Sequence, residues 1–379
     1  MGDSAAENLG NGYCVIMAGG RGTRFWPLSR AQRPKQLLAL SSPKSLLRET
    51  CDRVLPLVGP ERILVITNEN LLTATGRELP ELPTEHIIGE PCGRNTAPCA
   101  ALGIGLAERI GGRVPVALLP ADHWIPDGEL FRDQLATAFN HASATGQAVT
   151  FGIPPSRPET GYGYLEVIEN ALPGNATQVE ATVQPRGFTN LLPGKKFVEK
   201  PDPETARTYL AGGHHYWNSG IFIWDSRSFA SALTEYLPEV AGALAEPLAA
   251  YGSSDFTAML ANSYDRCPAI SIDFGVMEKL PAFAVIPASF RWSDIGSWDV
   301  WGELAPEVAA GNRGLTRLLE LESRGNIIYA PEKTVALMGV EDLIVVDTQD
   351  ALLICRVQDA QRIREITERL ADQNQQDLL

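Results

Sequence analysis

Tyr13-Cys14-Val15-Ile16-Met17, followed at once by Ala18-Gly19-Gly20-Arg21-Gly22-Thr23-Arg24, is the stretch that decides the fold. The apolar run reads as a short buried strand. The three glycines after it let backbone N–H groups close in on an anion such as phosphate. The loop is not the dinucleotide fingerprint Gly-x-Gly-x-x-Gly, because Phe25 stands where the third glycine belongs. It is not a Walker loop either, since no Gly-Lys-Ser/Thr follows. A tight turn would explain two glycines, but not Arg24 and Lys35 on the same loop.

Outward from this loop, the first 150 residues alternate short apolar runs with longer helical patterns. Strands are expected at Tyr13–Met17, Arg62–Thr67, His86–Gly89, Val114–Leu119 and Ala148–Ile153, and helices at Ser45–Val58, Glu69–Arg77, Asn95–Ile110 and Glu129–Thr145. Such alternation predicts an α/β fold with a Rossmann-like mixed, mostly parallel sheet flanked by helices. Ligands of such sheets bind beyond the carboxyl ends of the strands. From 154 to 305 the alternation loosens. Strands are expected at Lys196–Glu199, Gly220–Trp224 and Phe283–Pro287, helices at Pro203–Ala211, Ser226–Tyr236 and Phe256–Asn262, and a surface excursion over 170–196. After Gly311-Asn312-Arg313-Gly314 come short strands at Asn326–Tyr329, Thr334–Met338, Leu343–Asp347 and Ala351–Arg356. A helix over Gln358–Ala371 follows, with Ile363, Ile366 and Leu370 at helical spacing. Two domains follow, 1–305 and a small β-rich 306–379.

Charge narrows the function. The 379 residues carry a net −14, which argues against non-specific nucleic-acid binding. Residues 21–35 hold Arg21, Arg24, Arg30, Arg33 and Lys35 and no acid, and setting them aside leaves 27 basic against 46 acidic residues, or −19. A short positive segment on an acidic molecule suits a small anion. No apolar run approaches the ~20 residues of a membrane span. The N-terminus lacks the pattern of a signal peptide or a myristoylation site, and six scattered cysteines without a Cys-x-x-Cys pair suit a reducing compartment. The expectation is a cytoplasmic protein without membrane or nucleic-acid partners.

The loop from Gly19 through Arg24-Phe25-Trp26-Pro27-Leu28-Ser29-Arg30 to Pro34-Lys35-Gln36 resembles the signature of sugar nucleotidylyltransferases, in the extended form of mannose-1-phosphate guanylyltransferases. Further motifs follow in family order: Gly89-Glu90-Pro91-Cys92-Gly93-Arg94-Asn95-Thr96-Ala97-Pro98, Pro120-Ala121-Asp122-His123, Phe197-Val198-Glu199-Lys200-Pro201, Trp217-Asn218-Ser219-Gly220 and Trp292-Ser293-Asp294-Ile295-Gly296-Ser297-Trp298. The resemblance spans nearly the whole chain. It implies a nucleotidyltransferase fold, a C-terminal left-handed β-helix-like domain, and a homodimer through that domain. It also implies Mg²⁺-dependent joining of GTP to mannose 1-phosphate, with GDP-mannose and pyrophosphate as products. Relatives with an appended isomerase barrel are longer, so isomerase activity is not expected.

On that resemblance, the nucleotide is bound by Ala18, Gly19, Gly20, Gly22, Thr23, Arg24, Lys35, Glu90, Asn95 and Thr96. Arg24 and Lys35 fit as triphosphate clamps, one a fork and one a point charge. Lys200 fits the sugar phosphate, and these three bases carry the catalysis. Gly163, Glu199, Lys200 and Asn218 are the sugar-phosphate set. Asp122 and Asp294 are the metal positions, a pair of carboxylates being what Mg²⁺ takes beside phosphate oxygens and water. Asp273 is a competitor ranked lower, as a helix cap. Glu90 is the base reader, because a carboxylate accepts from both N1–H and N2–H₂ of guanine. Other readings remain: another hexose phosphate or base, or an idle regulatory subunit that only binds GDP-mannose. A dehydrogenase is disfavoured by the glycine pattern, and a glycosyltransferase by the lack of Asp-x-Asp. The stripe Ile363, Ile366 and Leu370 either buries itself on its own chain or forms the dimer contact.

Overall fold

The computed structural model describes residues 12–168 and 190–379, so most of the expected 170–196 excursion lies outside the described residues. The chain forms two compact units. The first comprises the described residues up to Gly19, then Thr50–Ala121 and Ile125–Trp292. The second comprises Gly20–Glu49, Asp122–Trp124 and Ser293–Leu379. This partition is not the linear division 1–305 and 306–379. Apolar residues of the early loop explain it: Phe25, Trp26, Leu38 and Leu40 are buried in one core with Trp298, Trp301, Ile344 and Val346.

The order of the first unit is β1 (Tyr13–Ala18), α1 (Leu46–Val58), β2 (Ile63–Asn68), α2 (Leu72–Glu78), β3 (Ile87–Glu90), α3 (Thr96–Gly111), β4 (Pro115–Pro120), α4 (Gly128–Thr145) and β5 (Val149–Ile153). It continues with β6 (Tyr164–Val167), β7 (Leu192–Val198), α5 (Pro203–Gly212), β8 (His215–Asp225), α6 (Ser226–Tyr236), α7 (Pro238–Ala249), α8 (Phe256–Tyr264), α9 (Ile272–Gly275) and β9 (Phe283–Pro287). The nine strands lie in the order β3-β2-β1-β4-β8-β5-β9-β7-β6. β1 pairs in parallel with both β2 and β4, and β2 with β3, so these strands end on one edge. The chain switches sides between β1 and β4, the kind of position where open α/β sheets bind ligands.

The expectation of a mostly parallel sheet needs correction. The long β8 runs antiparallel to β4, β5 and β6, and β7 runs antiparallel to β6 and β9, so beyond β4, among the described residues, only β5 and β9 pair in parallel. The sequence around Gly220–Trp224 carried no sign of direction, and the strand proved eleven residues long. Helix α3 is apolar on nearly every face, as a helix covered on several sides must be, and it packs on β1, α6 and α7. Val15, Leu64, Leu102, Val116 and Phe222 are fully or almost fully buried in this unit's core.

In the second unit, α10 (Trp298–Leu304) precedes a five-stranded sheet of β10 (Glu307–Ala309), β11 (Asn312–Leu321), β12 (Ile327–Met338), β13 (Leu343–Asp347) and β14 (Leu352–Arg356). β11, β12 and β13 run parallel, which makes the domain β-helix-like. The two runs expected at Asn326–Tyr329 and Thr334–Met338 are one continuous strand. At the turns, two fully buried asparagines stack. Asn326 Nδ2 donates to Asn312 Oδ1 at 2.8 Å and to the Val340 carbonyl at 3.1 Å, and Asn312 Nδ2 donates to the carbonyls of Ala309 and Ser323. Amide side chains thus satisfy turn carbonyls that the ladder leaves over. Helix α11 (Ile363–Asp372) buries Ile363 and Leu370 in the core that holds Phe25 and Trp298, so its apolar stripe is covered by its own unit. No helix among the described residues is long and apolar enough to cross a membrane.

Candidate active site

The loop that follows β1 takes its shape from its own second unit. Gly22 has φ 62°, and a Cβ there would collide with that of Lys35. Its carbonyl accepts from Ser29 Oγ at 2.8 Å. Phe25 packs on Trp298 with ring centroids 5.0 Å apart, and the indole N–H groups of Trp298 and Trp301 donate to the carbonyls of Trp26 and Leu40. A polar, anion-seeking loop therefore rests on an aromatic floor.

Lys35 is the node of this unit. Its side chain is buried, and its Nζ donates to Asp122 Oδ2 at 2.7 Å and to the backbone carbonyl of Asp294 at 2.5 Å. Burial would raise the Asp122 carboxyl, but the Lys35 ammonium and His123 outweigh it and hold it below the usual carboxylate range. The Asp294 carboxylate accepts from Gly296 N at 3.1 Å. The structure thus brings Lys35, Asp122 and Asp294 together. Arg24 is exposed on the same loop.

The fit of Mg²⁺ is judged on the donors. An ammonium is held here between a carboxylate and a carbonyl, and a second carboxylate stands on the same turn. The two carboxylates and the carbonyl are hard oxygen ligands in a place that already holds a cation, which suits Mg²⁺.

In the first unit, the end of β1 is tied down by β2: Thr67 Oγ1 donates to the Ala18 carbonyl and Asn68 Nδ2 to that of Gly19. Glu90, the last residue of β3, places its Oε2 against Gly19, where a Cβ would lie 2.9 Å away. Its Oε1 accepts from the hydroxyl of the fully buried Tyr264 at 3.0 Å. Burial pushes the Glu90 carboxyl up to about 7, with the Tyr264 bond pulling the other way. Asn95 caps α3, accepting from Thr96 N at 2.8 Å, and Thr96 Oγ1 accepts from Ile272 N at 2.9 Å. These two hold the start of α3 and dock the segment before α9.

A second cluster of this unit gathers the expected sugar set. Asn218 N donates to the Gly163 carbonyl at 2.8 Å, and the Glu199 carboxylate lies against Gly163, where a Cβ would make it shift. Lys200, at φ 47°, pairs with Glu199 at 2.9 Å. Tyr162 stands edge-on to Trp217 and Trp292, with centroids 5.3 and 5.4 Å apart.

Asp273, expected as a helix cap, is not the cap. It is in the first turn of α9, whose cap is Ser271, and its Oδ1 accepts from Asn218 Nδ2 at 3.0 Å. Burial, reinforced by the Glu199 charge, raises its carboxyl to about 6. Tyr264 and Glu278, which accepts from Glu199 N at 3.2 Å, were missed. Nothing in the linear sequence near Glu90 or Glu199 points to residues 174 and 79 positions away.

Comparison with known proteins agrees with this architecture. Residues 13–310 match the family model described as nucleotidyl transferase, and residues 316–370 match a MannoseP isomerase/GMP-like beta-helix domain. Mannose-1-phosphate guanylyltransferase 2 of Escherichia coli O157:H7 is 38% identical over 361 residues, covering 94% of this chain and 73% of that protein. Mannose-1-phosphate guanylyltransferase of Escherichia coli K12 is 37% identical over 363 residues, with 94% and 73% covered. A crystal structure described as mannose-1-phosphate geranyltransferase from Thermus thermophilus superposes with a TM-score of 0.81 at 35% identity, covering 95% of this chain and 99% of that one. With a glycine loop after β1, the motifs in order and relatives of this similarity across both domains, the chain belongs to the nucleotidyl transferase family, alongside the mannose-1-phosphate guanylyltransferases.

Proposed function

We propose that the protein transfers GMP from GTP to α-D-mannose 1-phosphate, giving GDP-mannose and pyrophosphate, in the cytoplasm and with Mg²⁺. The observation that carries this is the buried Lys35 ammonium bridging the Asp122 carboxylate and the Asp294 carbonyl beside a glycine loop. That cluster fixes one positive charge beside two carboxylates that would hold Mg²⁺, and the ammonium, the ion and Arg24 together would offset the crowded negative charge of phosphoryl transfer.

Ala18, Gly19, Gly20, Gly22 and Thr23 offer the backbone to the triphosphate. Arg24 forks onto phosphate oxygens from the exposed loop, and Lys35 supplies a fixed charge. Asp122 and Asp294 would hold Mg²⁺, which when bound neutralises phosphate oxygens. Glu90, with Asn95 and Thr96 behind it, reads guanine. Gly163, Glu199 and Asn218, together with Asp273, accept sugar hydroxyls, while Lys200 leaves Glu199 for the sugar phosphate. A sugar phosphate oxygen then attacks the α-phosphorus in line, with no covalent intermediate on the protein. Residues 1–305 carry this chemistry.

The 306–379 domain is read as a left-handed coil and as the dimer contact. Leu319 pairs in register with Ala336 and Leu321 with Met338, and Leu319, Leu321 and Met338 are exposed apolar side chains. Light scattering of a Leu321→Lys, Met338→Lys variant tests this: halved mass supports the dimer, and an unchanged mass rejects it. For the reaction, pyrophosphate release is measured with four nucleotides against several sugar 1-phosphates. GTP with mannose 1-phosphate should be the best pair, and no turnover with any pair would favour the idle regulatory subunit.

A further inference from the structure

Apart from these clusters, Glu166, His214 and His215 each bring a ligand atom within 4.8 Å of the others. The register of β6 against β8 sets Glu166 opposite His215, and His214 stands just outside the start of β8. Neighbours on a regular strand would point to opposite faces. Here the two imidazoles share a side, with centroids 4.4 Å apart.

The rings are held in place. His215 stacks on Tyr209 at 3.9 Å and 14°, and it is 8% exposed. Its Nδ1 is buried without a hydrogen-bond partner among the described residues. A buried ring nitrogen left over is costly, and it is the donor a metal would take. His214 Nδ1 lies 2.9 Å from the Gly212 carbonyl. Such a bond orients a ligating imidazole and sets its tautomer, with Nε2 as the metal-binding atom.

We propose that Glu166, His214 and His215 form a binding site for one divalent transition ion, of the Zn²⁺, Co²⁺ or Ni²⁺ type. Two imidazoles and one carboxylate suit these ions and not Mg²⁺, which prefers oxygen. The site stands apart from the reaction, yet it shares strands with it. Gly163 immediately precedes β6, and Asn218 is three residues beyond His215 on β8. The ion cross-links the two strands that carry the sugar-facing residues. Lys195 competes for the site, since its Nζ reaches Glu166 Oε1 at 2.5 Å, and its side chain is 61% exposed.

The test is a Co²⁺ titration of the metal-free full-length protein with Mg²⁺ in excess, followed by visible absorption and by equilibrium dialysis. One equivalent should bind with the spectrum of nitrogen ligation. His214→Ala and Glu166→Gln should each weaken it by about tenfold or more. Lys195→Ala should tighten it, because a competing cation is gone. Both ligand variants keep His215 packed on Tyr209, so a folding failure is not expected, and circular dichroism checks it. Undiminished Co²⁺ affinity in both ligand variants, or no retained equivalent in the wild type, overturns the site whether or not the enzyme makes GDP-mannose.

Discussion

The Tyr264 hydroxyl donates to Glu90 Oε1 at 3.0 Å inside the protein, so the residue proposed to read the base is set by one that the sequence places far away. With its carboxyl raised to about 7, Glu90 changes state near neutrality. Only the carboxylate accepts from both guanine donors. Hence kcat/KM for GTP should fall as the pH drops through 7, and Tyr264→Phe, by removing a downward pull, should move that step to higher pH. Glu90→Gln should abolish the step and cost roughly 5–150-fold, the penalty of one unpaired polar group. It should also narrow the GTP/ATP preference, while KM for mannose 1-phosphate barely moves. A wild-type profile and nucleotide ratio retained by Glu90→Gln would move base reading elsewhere.

The same carboxyl has a stability consequence of definite sign. Unfolded, it ionises near its ordinary 4.5; folded, it keeps its proton up to about 7. The folded state therefore binds more protons within that window, and stability declines as the pH rises through it, then levels off. The total is on the order of 3 kcal/mol. Urea midpoints above and below the window should differ less in Glu90→Gln than in the wild type; equal differences would refute the shift.

Arg24 and Lys35 should separate activity from folding. Each substitution to Ala should lower kcat/KM by roughly 10²–10³, as for losing one preorganised charge. Arg24 is exposed, so its melting curve should not change. A sequence reading that puts both on a polar loop expects the same of Lys35. Its burial against Asp122 says otherwise: Lys35→Ala strands a carboxylate and should also lower the melting temperature.

For the metal, Asp122→Asn and Asp294→Asn should each drop activity steeply, with little rescue by excess Mg²⁺. The double variant should lose little more than either single one, because the ion leaves as a unit. Full activity in EDTA would rule the assignment out.

Asp273→Asn tests the residue that sequence ranked low. It should raise KM for mannose 1-phosphate by about tenfold, a hydrogen bond's worth, and leave KM for GTP alone. An equal rise in both would make Asp273 a packing residue.

How much was legible follows from what each signal depends on. The strand starting at Tyr13, the helix at Ser226–Tyr236 and the strand at Phe283–Pro287 were readable from local periodicity, and they stand where expected. The glycine loop and its ordered motifs gave the family. Strand direction beyond β4, the α7 and α10 helices, and Tyr264 behind Glu90 were not readable, because each depends on partners distant in sequence. The C-terminal stripe was legible as a stripe, but only packing against Phe25 and Trp298 decided what covers it.

The joining of Gly20–Glu49 with Ser293–Leu379 in one compact unit separates the making of the loop after β1 from its folding. Phe25, Trp26 and Leu38 are made about 260 to 320 residues before the tryptophans and strands that bury them. At about 5–20 residues per second, the loop waits on the order of twenty seconds to a minute for its floor. A growing chain can pair β1 with β2 and β4 well before the aromatic floor under residues 25–40 exists, so this loop takes its folded shape after the sheet it follows.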